Sequence, residues 1–342
     1  MRIIAVCPVG CESAANAELA SLGCSNIEPG LGWCRADTAD PWRILRFAQT
    51  VSHVLFEVGS TDPLSLSDEA QKYLARAPSF KVHAINGPRE QERTLGAMLV
   101  ERYGRPVDLE DPSIEVGVVD TMLGFMLSGF DYSLREYKVY KTPRSLNPCV
   151  AASILWGLDV PASGVLCDPL CHDGVIPIEA SLRSLGIGPR RFQQRTLASR
   201  FASQLPDPES AVPATTGEVF ALEQNANYLR RAEHNARLAG VAKHIGFSRY
   251  DLEWIDMRIG QGGVDRCVLE LPHRSSKTDA SSYTKLLADV RFAADHMLNE
   301  EGELIVVTND PLVSFEGFAT VRRMVIPRGE LGLYAIALGR ER

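Results

Sequence analysis

A chain of 342 residues exceeds what one ordinary hydrophobic core serves, at roughly 100–200 residues per domain, so two or three domains are expected. Its 45% hydrophobic and 23% charged residues exclude the disordered and fibrous classes, and no uncharged apolar run reaches the roughly 18–20 residues of a spanning helix. A net charge of −7 excludes a surface that grips nucleic acid everywhere through phosphates, while leaving room for a local basic face.

The opening MRIIAVCPVG lacks a signal peptide's long apolar stretch, which predicts a cytoplasmic protein with no membrane contact. Cys7, Cys11, Cys24 and Cys34 fall close together but without paired C-x2-C knuckles. They read as small buried hydrophobes in a reducing compartment, and no metal is expected.

In chain order, the pattern predicts a strand over residues 2–6, a helix over 13–22, a strand near 33–35, a helix over 41–50 and a strand over 52–57, together a small α+β unit at residues 1–62. Asp62-Pro63 and the polar LSLSDEAQKY read as a break. A second unit, 63–144, holds a strand over 80–85, a helix over 90–103 and strands over 114–119 and 122–127, then a polar, aromatic and basic segment, 132–144, that reads as a linker.

From residue 145 strands and helices alternate. Helices are predicted over 150–158, 175–185, 226–238 and 283–299, and strands over 164–167, 219–222, 245–248, 266–269 and 303–307, the rhythm of a doubly wound parallel sheet. The last two strands, 318–326 and 331–338, are separated only by PRGE, a loop too short for a parallel crossover, so the final strand must be antiparallel. The stretch 186–217, with Arg190, Arg191, Arg195 and Arg200, is too long for an ordinary connection.

Ligands of such sheets bind beyond the carboxyl ends of the strands. The segment from Val165 to Ala180 forms the first strand, turn and helix start, and Gly174 permits close backbone approach. Glu223 follows the next strand, where a carboxylate can take both ribose hydroxyls of a nucleoside, and Asp251 follows the third, where it can accept from an adenine amine. Glu270, Pro272 and His273 leave the fourth strand, where a transferred group would meet its acceptor. Arg135, Tyr137, Lys138, Tyr140, Lys141 and Arg144 interleave basic and aromatic side chains in a manner suited to phosphates and stacked bases, against the plainer reading of a solvated linker. Arg190 and Arg191 are a second basic candidate.

At these residues the chain resembles the THUMP-domain RNA methyltransferases, which methylate the exocyclic amine of guanine. SLNPCVAASILWGL resembles the family's approach to its catalytic domain, DPLCHDGVIPIEAS its cofactor loop D-P-x-C-G-S-G-T-I-x-I-E, and ALEQNANYLRRAEHNARLAGV its ribose-binding strand and following helix. FKVHAI and RPVDLEDPSIEVGVV are similar to the THUMP module, and the first sixty or so residues to the ferredoxin-like domain before it. The resemblance implies an α/β architecture: a ferredoxin-like domain at 1–62, a THUMP domain at 63–144 and a Rossmann-like methyltransferase domain at 145–342.

It further implies S-adenosylmethionine as cofactor, with Asp168 and Gly174 beside its methionine part, His172 in the same cofactor-binding loop, Glu223 on the ribose and Asp251 on the adenine. The partner implied is RNA, a transfer RNA in the first instance. The chain departs from the pattern where His172 and Asp173 replace the loop's first glycine and serine, and where Glu270-Leu271-Pro272-His273 stands for N/D-P-P-Y/F. In that motif an oxygen accepts from the target amine and the last ring stacks on the base. Two alternatives accompany this expectation. One is a catalytically silent RNA-binding relative acting as a subunit of a complex; the other is a methyltransferase acting on something other than guanine.

Overall fold

The structure is a computed structural model and describes residues 1–61, 64–143, 145–189, 214–215, 217–274, 279–328 and 331–341. The chain begins with β1 (Arg2–Val6), α1 (Glu12–Ser21), β2 (Ser25–Gly30), β3 (Trp33–Asp37), α2 (Pro41–Phe47), β4 (His53–Thr61), β5 (Leu64–Leu66), α3 (Asp68–Arg76), β6 (Phe80–Ala84), α4 (Arg89–Tyr103), β7 (Ile114–Val119) and β8 (Met122–Met126). These strands form one sheet in the order β2-β3-β1-β4-β8-β7-β6, with β5 hydrogen-bonded to β4. The stretches 1–62 and 63–144 are therefore joined edge to edge by antiparallel pairing of β4 with β8, Leu55 opposite Met126 and Phe56 opposite Phe125. Each stretch has its own apolar cluster, one around Leu19, Ile44 and Val54, the other around Leu74, Leu99 and Val116, and Phe56 packs against both.

The polar stretch read as a break is in fact β5 and α3. Ser67 caps the helix by accepting from the Ala70 amide at 3.3 Å, Asp68 and Glu69 occupy its first turn, and Arg76 its last, each favourable to the helix dipole. Only Ala70 and Leu74 are buried, so the apolar stripe was too thin to read. Strand β2 was also unpredicted: at the sheet edge, it carries no buried residue, and Asn26 stands at φ 47°.

The second half contains α5 (Pro148–Gly157), β9 (Gly164–Asp168), α6 (Val175–Ser184), β10 (Gly217–Leu222), α7 (Ala226–Ala239), β11 (Ile245–Ser248), β12 (Val264–Glu270), α8 (Ala280–Met297), β13 (Leu298–Thr308), β14 (Phe318–Arg328) and β15 (Leu331–Arg340). Helix starts follow from local chemistry: Asn147 caps α5 with Pro148 at its first position, Asn225 caps α7, and Asp279 caps α8. The sheet runs β11-β10-β9-β12-β13-β15-β14. Its first five strands are parallel, whereas β15 is antiparallel to both β13 and β14, as the short loop required. Alternate residues feed opposite cores: Leu166, Ala221 and Val268 face α5, α6 and α7, while Cys167, Leu222 and Leu269 face α8. This is a Rossmann-like methyltransferase fold.

The halves pack closely. Cys11 and Ala14 share a core with α5, and an added Cβ on Gly10, at φ 85°, would lie 2.2 Å from the Val325 carbonyl on β14. No helix among the described residues is long and apolar enough to cross a membrane.

Candidate cofactor and acceptor site

Beyond the carboxyl ends of β9, β10 and β12, where sheets of this kind take ligands in a crevice, stand several buried carboxylates. Strand β9 ends in Asp168, 1% exposed, whose Oδ1 accepts from the Leu170 amide at 3.1 Å. The chain then turns through Cys171, whose amide donates to the Leu222 carbonyl at 3.0 Å and ties the loop to β10. His172 and Gly174 both take left-handed backbone, φ 51° and 83°, before α6 begins. An added Cβ on Gly174 would lie 3.0 Å from Ala232 Cβ and 3.1 Å from its Cα, so the requirement for glycine comes from α7 behind the loop.

Glu223 follows β10 and is buried. Its Oε1 accepts from the Asn225 amide at 2.9 Å and its Oε2 from the His172 amide at 3.1 Å, which fixes the ribose-candidate acid against the loop. Gln224 beside it donates to Asp251 Oδ2 at 2.5 Å, so Asp251 lies next along the same rim, half-buried. Glu270 ends β12, also buried, and Leu271 donates its amide to the Val307 carbonyl at 2.8 Å. Pro272 is half-buried and His273 exposed at the mouth. The next residue is clamped, with the Arg274 amide donating to Asn309 Oδ1 at 2.8 Å and its guanidinium paired with Asp310.

The imidazole of His172 lies across this crevice. Its Nδ1 is 3.6 Å from Glu223 Oε2, its Nε2 3.4 Å from the Glu270 backbone carbonyl, and its ring meets Tyr228 edge-on at 6.5 Å. Glu223 and the end of β12 are thus one side chain apart. Burial pushes the Asp168 carboxyl well above its usual range, and the neighbouring charges of Glu223, Glu270 and Asp173 push it further. A crevice of this kind favours a cationic guest.

Asp168, His172, Gly174, Glu223, Asp251, Glu270, Pro272 and His273 are therefore gathered at one end of the sheet. The basic candidates are not. Arg135, 6% exposed, faces inward: it pairs with Glu179 of α6 at 2.9 Å and donates to the carbonyls of Gln49 at 2.6 Å and Tyr132 at 2.5 Å. Tyr137 donates to the same Glu179 at 2.8 Å. The expectation that Arg135 meets phosphates is corrected: its donors are spent on joining the two halves, and water or RNA cannot reach them. Lys138 also turns in, its ammonium on the Leu146 carbonyl; burial lowers its pKa while the nearby Asp173 raises it. The segment 132–143 is a strap packed between the halves, and Lys141 is its exposed cation. Arg144, Arg190 and Arg191 lie outside the described residues.

Sequence reasoning missed the rim that α7 supplies. Asn235, fully buried, donates to the carbonyls of Tyr140 and Asp173, both at 2.9 Å, and accepts from the Tyr140 amide, which binds strap to cofactor loop. Arg231 donates to the Lys141 carbonyl at 2.6 Å and stands 5.7 Å from the Tyr228 ring, while exposed Tyr140 packs on His234 at 5.1 Å. The signal was present as helical spacing, since Tyr228, Arg231 and Asn235 share one face of α7.

Comparison with known proteins agrees with this architecture. The chain is 25% identical over 235 residues to the tRNA (guanine(6)-N2)-methyltransferase of Methanocaldococcus jannaschii, a match covering 63% of this chain and 61% of that protein. This chain therefore spans less than two thirds of that relative's length. Among solved structures, TrmN from Thermus thermophilus superposes with a TM-score of 0.67 at 22% identity, covering 99% of each chain. SMU.472, solved in complex with SAH, superposes with a TM-score of 0.72 at 16% identity over 100% of this chain and 98% of that one. A model of the RMKL-like methyltransferase domain matches residues 135–325, more than half of the sequence and the whole of the crevice just described. The chain belongs to the RMKL-like methyltransferase-domain family.

Proposed function

We propose that the protein is an S-adenosylmethionine-dependent methyltransferase acting on the exocyclic N2 amine of a guanine in RNA, with transfer RNA as the RNA. The observation that carries this reading is the adjacency of Glu223 and Glu270, both reached by the one imidazole of His172 at 3.6 and 3.4 Å. Group transfer needs donor and acceptor held about 3–3.5 Å apart. The relative named for tRNA guanine-N2 methylation and the structure solved with SAH support the choice of substrate and cofactor.

The residues present fit the cofactor, because a buried acidic crevice stabilises a sulfonium cation. S-adenosylmethionine, when bound, supplies a methyl group on positively charged sulfur. Glu223 would hold the ribose hydroxyls, Asp251 the adenine amine, and Asp168 with Gly174 the methionine part. Glu270 would accept a hydrogen bond from the guanine amine, turn its nitrogen lone pair toward the methyl group and take up the proton released as the N–C bond forms and the methyl–sulfur bond breaks to leave a neutral thioether. Exposed His273 stacks on the base and Pro272 stiffens the turn that carries it.

In this reading residues 1–62 and 63–144 are the ferredoxin-like and THUMP units, and RNA approaches along Tyr140, Lys141 and Arg231, joined by Arg144, Arg190 and Arg191. Cytoplasmic placement fits such a substrate. Incubation with tRNA transcripts and labelled cofactor, followed by nucleoside analysis, tests the proposal. It expects N2-methylguanosine, reduced about 100-fold in Glu270→Ala.

One observation favours a second reading: a buried ring lies in the cofactor's path. It suits a catalytically silent RNA-binding relative working as a subunit of a complex, for which the same assay returns no methylated nucleoside while RNA binding persists.

A further inference from the structure

The cofactor loop places a histidine where the backbone is left-handed, a conformation that glycine and asparagine adopt with least strain and that costs a bulkier side chain. The ring is not released to solvent in compensation: His172 is 7% exposed. Its amide is held by Glu223, which anchors the backbone of the loop, so any rearrangement at this position falls to the side chain. With Nδ1 toward Glu223 and Nε2 toward the Glu270 carbonyl, the ring covers the ground between the ribose acid and the acceptor strand. Any ligand with its ribose on Glu223 and its reacting group at Glu270 must cross that ground.

We propose that His172 is a displaceable occupant of the cofactor site that sets cofactor affinity: the imidazole lies between Glu223 and the Glu270 carbonyl and must swing out, toward Tyr228, before the cofactor seats. This rests on the reading of the crevice as a cofactor site. Tyr228 stands 6.5 Å away on the α7 rim and offers a ring surface for the displaced side chain. The ring gives up contacts to the Glu223 carboxylate and the Glu270 backbone carbonyl, and the cofactor and substrate then engage the same two residues, so one set of partners is exchanged for another. Because the competent state is a fraction of the total, apparent affinity is reduced by that fraction.

The test is calorimetric titration of S-adenosylhomocysteine, which cannot react, into the wild type, His172→Gly and His172→Asn, with nitrogen-edited NMR of the wild-type imidazole. Glycine suits the backbone, and asparagine tolerates it while being too short to span the crevice. Both variants are expected to bind about tenfold or more tightly than wild type, and the His172 ring signals to shift as ligand saturates the wild type. Equal affinity in all three, abolished in each by an added Glu223→Ala, overturns the occupant role and leaves the cofactor site standing. Weaker binding in both variants would make the ring a cofactor contact and also overturns it. No binding to any variant at millimolar ligand overturns the cofactor reading and this proposal with it.

Discussion

At the scale of single residues, chemistry and packing make opposite demands on the crevice. Asp168 ionises in water near pH 3.9 and in the folded protein at a higher pH, chiefly because it is buried. A raised carboxyl pKa favours folding below the unfolded value, and that contribution is lost as pH climbs through the folded value. Asp168→Asn is therefore expected to raise stability at pH 7–8 by about 1 kcal/mol or more, with a smaller gain near pH 4, and to lose cofactor affinity; urea melts at the two pH values check the sign. Gly174→Ala should destabilise by ~1–3 kcal/mol in the same melts, from its left-handed backbone and the 3.0 Å approach to Ala232. The positions of Asp168, Glu223 and Glu270 were legible because each ends or directly follows a strand, while Asp251 lies in the loop that follows β11. Arg135 and Lys138 were not, since a basic residue reads the same whether it meets phosphate or a carboxylate 44 positions later in the chain, as Arg135 meets Glu179.

Among the elements, the strap 132–143 ties the two halves together through Arg135 and Tyr137. Glu179 on α6 accepts from Arg135, Tyr137 and Gln49, and Gln49 precedes β4 of the first half. Nearby, the Glu18 carboxylate of α1 accepts from the amides of Gln49 and Thr50 at 2.7 and 2.8 Å. Removing one member strands the others without water. Glu179→Gln or Arg135→Met should each cost about 3–5 kcal/mol, and the double variant less than the sum, by denaturant titration. A composition of alternating charge and aromatic residues suggested a solvated linker because nothing in the segment itself encodes its partners. The βα alternation from 145 onward, by contrast, was readable from local periodicity, and the antiparallel end from one loop length.

For the whole molecule, a net charge of −7 means that any RNA path must be local. The exposed Tyr140 and Lys141, with Arg231 of α7, border the crevice. Lys141→Ala and Arg231→Gln should each weaken tRNA binding and reduce the slope of log affinity against log salt by about 1. That the two N-terminal stretches share one sheet was not readable, because the β4–β8 pairing joins residues about seventy positions apart with no local signature.

The most direct test of the account follows the methyl group itself. Protein, tRNA transcripts and methyl-labelled S-adenosylmethionine are incubated, and the RNA is digested to nucleosides. The account predicts label in N2-methylguanosine, reduced about 100-fold by Glu223→Ala and by Glu270→Ala in folded protein. Unlabelled RNA, from protein that still binds that RNA tightly, would contradict it and assign the molecule to the silent RNA-binding relatives.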